Sequence, residues 1–85
     1  MTPRLADLDT IIAQCTDAGV VLSARIERLT LLGCEHGEIR KAIGYQYGRG
    51  TWEAGFRDHC LELTDAEMGW LAELESMFQA PKVGD

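Results

Sequence analysis

The strongest constraint on the fold is a row of apolar or small residues that recurs in alternating steps of three and four through the first third of the chain. Side chains at this spacing lie on one face of an α-helix. The row keeps its phase across Gly19, so the pattern favours one long or kinked helix over residues 5–32. The alternative is a helix stop at Asp17–Gly19 followed by a second helix from Val20 to Leu32, because glycine readily ends helices. The row consists of Leu5, Leu8, Ile12, Cys15, Gly19, Leu22, Ile26 and Leu29.

This apolar row, from Leu5 to Leu29, can cover the rest of its own domain or form a seam with a second copy of the chain. A chain of 85 residues buries only about 60–65% of the surface that its unfolded form exposes, so its core has to be compact or shared. We therefore expect a homodimer through this row, with packing inside one chain as the alternative.

A short amphipathic segment, residues 35–43, follows Gly33 and precedes Gly44. Glycine takes the left-handed conformation that ends helices, so we expect this segment to be a helix that stops at Gly44. Its inward residues would be Ile39, Ala42 and Ile43. Its outward residues would be Arg40 and Lys41.

Two further helices are expected after the polar loop. Thr51 is a candidate N-cap for the first of them, whose inward positions at helical spacing would be Trp52, Phe56, His59, Cys60 and Leu63. Thr64-Asp65-Ala66-Glu67 is a capping-box pattern, in which the threonine and glutamate side chains satisfy backbone donors at a helix start. It predicts a final helix over residues 64–79, ended by Pro81, with a buried stripe of Trp70, Leu71, Leu74, Met77 and Phe78.

No segment alternates polar and apolar residues with the period of two that a strand requires. The sequence therefore predicts an all-α fold, with four or five helices in a single domain over residues 1–80 and a tail over 80–85. No apolar run approaches the roughly 20 residues of a membrane helix, and no signal peptide pattern is present at the amino terminus. Three cysteines at no framework spacing fit reduced thiols, so we expect a cytoplasmic protein.

The formal net charge is −6, but the charge is unevenly distributed along the chain. Residues 25–57 carry six basic residues against four acidic ones, whereas residues 58–85 carry seven acidic residues against one lysine. Phosphate neutralisation dominates the affinity of proteins for duplexes, so the total charge argues against a nucleic-acid partner. The local surplus of basic residues keeps such a partner open.

The segment from Glu38 to His59 resembles a helix-turn-helix DNA-binding unit. Ile39 and Ile43 match the apolar positions of its first helix, and Gly44 matches the glycine of the turn. The apolar anchors of the second helix are matched by Trp52 and Phe56. The resemblance covers about residues 35–63, and it implies that the second helix enters the major groove of DNA.

This resemblance implies a small DNA-binding transcriptional regulator. Basic side chains near the turn would contact phosphates, and these would be Arg40, Lys41 and Arg49. Side chains suited to base edges would be Gln46, Tyr47 and Arg57. A solvated loop joining two packed helices is the alternative interpretation of the same residues, and Tyr45 is expected to plug the core.

A second hypothesis is a small acidic interaction protein, for example an inhibitor encoded by a phage or another mobile element, that docks on a larger nucleic-acid-handling machine. The acidic carboxyl-terminal third would attract a basic protein partner by charge complementarity. Its candidate contact residues are Glu73 and Glu75.

Other chemistries find little support in the sequence. Four possible zinc ligands exist, but they lack the spacing of known zinc frameworks. The glycine-rich stretch 44–51 has no lysine before its threonine, as a phosphate-binding loop requires. No cysteine and histidine are paired by spacing for nucleophilic catalysis. We expect no enzyme activity, no metal and no cofactor. The four zinc candidates are Cys34, His36, His59 and Cys60.

Overall fold

The computed structural model describes residues 3–45 and 54–79 of the chain. Five helices lie within these ranges, and no strand does, which confirms the prediction of an all-α fold. None of the five combines the length and the apolar character needed to span a bilayer. They are α1 (Pro3–Gln14), α2 (Ala18–Leu31), α3 (His36–Ile43), α4 (Ala54–Leu61) and α5 (Asp65–Met77).

The first two helices replace the single long or kinked helix predicted over residues 5–32, and that prediction is wrong. Asp17 has an extended backbone, and its carboxylate accepts a hydrogen bond of 3.2 Å from the backbone N–H of Val20 at the start of α2. The chain reverses within residues 15–17, so α1 packs back along α2 and the ion pair between Arg4 and Glu27 joins their outer ends. The reversal buries Leu5 and Leu8 of α1, which a continuous helix would leave without a neighbour.

The apolar row of the first third is buried within one chain. Leu22 is 9% exposed, and Ile26 and Leu29 are fully buried. Gly19 lies inside α2 rather than at a helix stop. The row therefore packs mainly within the chain, with Ile12 and Cys15 partly exposed, and the homodimer through this row stays a prediction.

The helix ends follow the local signals in the sequence. Gly33, with φ of 103°, closes α2 in a Schellman motif, because its N–H bonds the carbonyl of Thr30 and the N–H of Cys34 bonds that of Leu29. Gly44, with φ of 76°, stops α3 as predicted. The capping box predicted at Thr64 and Glu67 is present at the start of α5, and its hydrogen bond from the Thr64 backbone lowers the pKa of Glu67. The predicted cap at Thr51 and the stop at Pro81 lie outside the described residues.

The core lies where α2, α3, α4 and α5 meet. α2 packs against α1 and α4, and α3 packs against α5. Tyr45 fills the corner after α3, with its ring centroid 5.2 Å from that of Phe56 and 5.1 Å from that of His59, which confirms its prediction as a core plug. The buried cluster consists of Leu22, Ile26, Leu29, Cys34, Ile39, Ala42, Ile43, Phe56, Cys60, Leu71 and Leu74.

Two residues predicted for the buried stripe of α5 lie outside this core. Trp70 is 50% exposed and Met77 is 73% exposed, whereas Leu71 and Leu74 are buried. The cause is the 100° rotation per residue of an α-helix. The face of α5 that packs into the core is centred on Leu71 and Leu74. Trp70 and Met77 therefore lie at the margin of this buried face.

Candidate interaction surface

The described residues proposed to contact DNA lie on two helices with different packing partners. Arg40 and Lys41 are exposed near the end of α3, and the Lys41 ammonium lies 3.2 Å from the carboxylate of Glu38. Arg57 is on α4, where its side chain packs over Gly19 of α2. Gln46, Tyr47 and Arg49 lie outside the described residues, so the structure gives no position for three of the six candidates.

The two helices that flank the proposed turn are joined mainly at one point. His59 Nε2 lies 2.6 Å from the carbonyl oxygen of Ile43, and this hydrogen bond connects α4 to the end of α3. Along their lengths, α3 has its main contacts with α5, and α4 has its main contacts with α2. In a helix-turn-helix the first helix packs across the second. Here, by contrast, α3 and α4 each pack chiefly against a different neighbouring helix.

Several cations of residues 25–57 are paired with carboxylates from other parts of the chain. Arg28 donates a 2.8 Å hydrogen bond to Asp9 of α1. Arg25 donates two hydrogen bonds to Glu75 of α5. The surplus of positive charge counted along the sequence is therefore offset in space by acidic residues 19 and 50 positions away. Sequence reasoning missed this because long-range ion pairs leave no local pattern.

The two glutamates proposed to meet a protein partner have different environments. Glu75 is half-buried in its ion pair with Arg25, and this hydrogen bond raises the pKa of Arg25 above its ordinary value. Glu73 is exposed, and no described Lys, Arg or His side chain forms an ion pair with it. Only Glu73 is therefore available to a partner, while Glu75 stabilises the fold.

An open groove of about 280 Å³ runs between α3 and α5. We call it the α3–α5 groove. It contains the two large exposed apolar side chains of α5, Trp70 and Met77, together with the carboxylate of Glu73, which has no ion pair with a described cation. It is lined by Glu38, Lys41, Ala42, Trp70, Glu73, Leu74 and Met77.

Sequence reasoning placed Glu73 at a surface but assigned Trp70 and Met77 to the core. A signal for the groove was present in the sequence. Trp70, Glu73 and Met77 are spaced by three and four residues, so they share one helix face, and a charged residue between two apolar ones indicates an exposed face.

The cysteines and histidines are the candidate ligands for a metal site. In the part of the chain that the structure describes, no three His, Cys, Asp or Glu side chains lie close enough together to hold a metal ion. Cys34 and Cys60 are buried free thiols. Burial raises the pKa of Cys60 to about 11, and burial also raises the pKa of Cys34. Both thiols are therefore protonated and weakly nucleophilic near neutral pH.

Comparison with protein-family models, curated proteins and solved structures found no match to this chain.

Proposed function

We propose that this protein is a small acidic interaction module that binds a basic, partly apolar segment of another protein in the α3–α5 groove. The observation that carries the proposal is the combination of Trp70 and Met77, both exposed, with the unpaired carboxylate of Glu73 in one groove. Helices α3 and α5 supply the two walls.

The apolar part of the groove favours a protein ligand. Tryptophan is enriched among the residues that dominate the energy of protein–protein interfaces, and methionine is common on surfaces that adapt to several partners. Trp70 and Met77 lie about two turns apart on one face of α5 with Leu74 between them, and all three line the groove, so they form an apolar strip along this helix. A partner side chain that covers this strip removes apolar surface from water.

The charge on α5 selects a basic partner. This helix has four acidic residues and no lysine, arginine or histidine. Glu67 belongs to the capping box and Glu75 pairs with Arg25, which leaves Asp65 and Glu73 for an external cation. The net charge of −6 attracts a basic protein surface and repels phosphate backbones. The three free thiols fit a reducing compartment, and we propose the cytoplasm as the site of action.

DNA binding is the second candidate function, and the exposure of Arg40 and Lys41 side by side on α3 favours it. These two side chains could contact adjacent phosphates. We rank it below protein binding because most described cations are paired with carboxylates, and because α3 and α4 have separate packing partners.

The test is a selection of random peptides displayed on phage against the immobilised full-length protein, followed by affinity measurements on the enriched peptides. We expect peptides whose binding falls at least tenfold in the variants Trp70→Ala and Met77→Ala. Leu31→Ala is the matched control, since Leu31 is an exposed leucine, 41% accessible, outside the groove. Peptides that bind all three variants as well as the natural protein, or no enrichment at all, would refute the proposed function.

A further inference from the structure

We infer that the partner anchors itself in the α3–α5 groove with an arginine, whose guanidinium stacks on Trp70 and pairs with Glu73. This inference rests on the proposed function and specifies the chemistry that the groove selects.

The geometry of α5 brings the two recognition groups together. Trp70 and Glu73 are three residues apart on one helix, and such residues have Cβ atoms about 5–6 Å apart on the same face. Both line the same groove, and the indole is half exposed. One guanidinium group can therefore contact the ring and the carboxylate at the same time.

No Lys, Arg or His in the described ranges forms an ion pair with Glu73, so its carboxylate can accept this partner. On the opposite wall, Lys41 forms its ion pair with Glu38 of its own helix at 3.2 Å. The groove thus has two acidic residues, Glu38 and Glu73, and Lys41 already neutralises Glu38. The remaining charge lies next to the tryptophan, where an incoming cation would gain from both groups.

Arginine fits this pair better than lysine does. Its guanidinium is planar, so it can stack on an aromatic face while its N–H groups bond a carboxylate in a bidentate manner. The lysine ammonium is a strongly hydrated point charge that can do neither. Cation–π contact over tryptophan is the most favourable of the aromatic cases. The aliphatic part of the arginine side chain would also cover the apolar strip that extends to Met77.

The experiment uses the groove-dependent peptides from the selection described above, each made with its arginine replaced by lysine or by citrulline, its neutral isostere. We expect replacement by lysine to weaken binding about fivefold and replacement by citrulline to weaken it at least tenfold. The citrulline effect should disappear in the Glu73→Gln variant. Glu62→Gln removes an exposed carboxylate outside the groove and should leave the effect unchanged.

The stacking component has its own readout. The two tryptophans, Trp52 and Trp70, give two indole N–H signals in a proton–nitrogen NMR spectrum, and a Trp70→Phe variant assigns them. The arginine peptide should move the Trp70 signal more than its lysine counterpart does. The arginine anchor would be overturned by groove-dependent peptides that lack arginine. It would also be overturned if replacing arginine with lysine, or Glu73 with glutamine, left the affinity unchanged. Either result would leave the proposed function intact. Absence of any groove-dependent peptide would overturn both.

Discussion

The guanidinium of Arg25 on α2 donates two hydrogen bonds to the carboxylate of Glu75 on α5, across 50 residues of sequence. Both side chains are partly buried, with 21% of Arg25 and 24% of Glu75 exposed. This pair joins the helix at the centre of the core to the helix that forms one wall of the α3–α5 groove. The wall is held against α3 by the buried Leu71 and Leu74, and the ion pair connects it to α2 as well.

We predict that Glu75→Gln lowers the free energy of unfolding by about 1–2 kcal/mol, because it leaves a half-buried arginine without its counter-charge. Urea denaturation followed by circular dichroism measures this. Glu73→Gln is the control, and it should stay within about 0.5 kcal/mol of the natural protein since Glu73 is exposed and unpaired. Equal stabilities of the two variants would show that the Arg25–Glu75 pair does not stabilise the fold. Because Glu75 stabilises the fold, a binding test that reverses the charge of both Glu73 and Glu75 could not distinguish a loss of folding from a loss of recognition.

A second prediction concerns Gly19, where α4 lies against the start of α2. A Cβ atom at this position would lie 2.7 Å from Cγ of Arg57 and 3.2 Å from its backbone oxygen. Alanine favours helices over glycine by about 1 kcal/mol, yet the clash should exceed that gain, so we expect Gly19→Ala to destabilise the protein by about 1–2 kcal/mol net. Thermal unfolding would show a lower midpoint.

Gly69 of α5 provides the matched control. Apart from its chain neighbours and the backbone of its own helix, no atom of the described residues lies within 4 Å of a Cβ built there, so Gly69→Ala should raise stability by up to about 1 kcal/mol. If both alanine variants were stabilised alike, close contact between α2 and α4 at Gly19 would be refuted.

A third prediction follows from the buried thiols. The pKa of Cys60 is raised to about 11 by burial, so the folded protein keeps this thiol neutral at a pH where the unfolded chain has lost the proton. The contribution of Cys60 to stability is therefore complete below the unfolded pKa of about 8.5 and is lost as the pH rises towards 11. The free energy of unfolding of the natural protein should decrease between pH 8 and pH 10. That of the Cys60→Ala variant should decrease less over the same range.

The same burial predicts selective reactivity. Cys15 is partly exposed in the turn between α1 and α2, whereas Cys34 and Cys60 are buried. A disulfide reagent at pH 8 should titrate one thiol rapidly in the folded protein and all three in denaturant. Rapid reaction of all three thiols without denaturant would contradict the burial of Cys34 and Cys60.

The parts of this fold that could be predicted from the sequence are those with local causes. Gly33 and Gly44 end helices through their own backbone conformation, and Thr64 with Glu67 begins one through hydrogen bonds across three residues. The sequence favoured one helix and offered the break between α1 and α2 only as the alternative, because the spacing of apolar residues keeps its phase through the reversal. The apolar side chains of α1 pack on α2, and those of α2 pack in the core, so the row of residues looks continuous although the helix is not.

The groove could be predicted only in part, because the spacing of Trp70, Glu73 and Met77 marks one face of α5 but does not show which helix lies opposite it. Whether Trp70 is buried depends on which helix lies against α5, and that is decided by long-range contacts such as the pair of Arg25 and Glu75. The apolar pattern of α5 alone does not distinguish its buried centre at Leu71 from its exposed margin at Met77. The charge count along the chain failed in the same way, since it could not show that carboxylates of α1 and α5 neutralise cations of α2.

The last prediction separates protein binding from DNA binding with one pair of substitutions. Replacing Arg40 and Lys41 with glutamine removes the two exposed cations of α3. If DNA is the ligand, the double variant should bind a mixed-sequence duplex more weakly, and the slope of log affinity against log salt should fall by about two. Fluorescence anisotropy of a labelled duplex at about 50 mM and about 200 mM salt measures both effects.

If the α3–α5 groove binds a basic peptide, the same double variant should bind the peptide equally well or more tightly, because Lys41 repels an arriving cation from the opposite wall. Weaker peptide binding in this variant would contradict the groove, and undetectable duplex binding by the natural protein at low salt would refute DNA regulation.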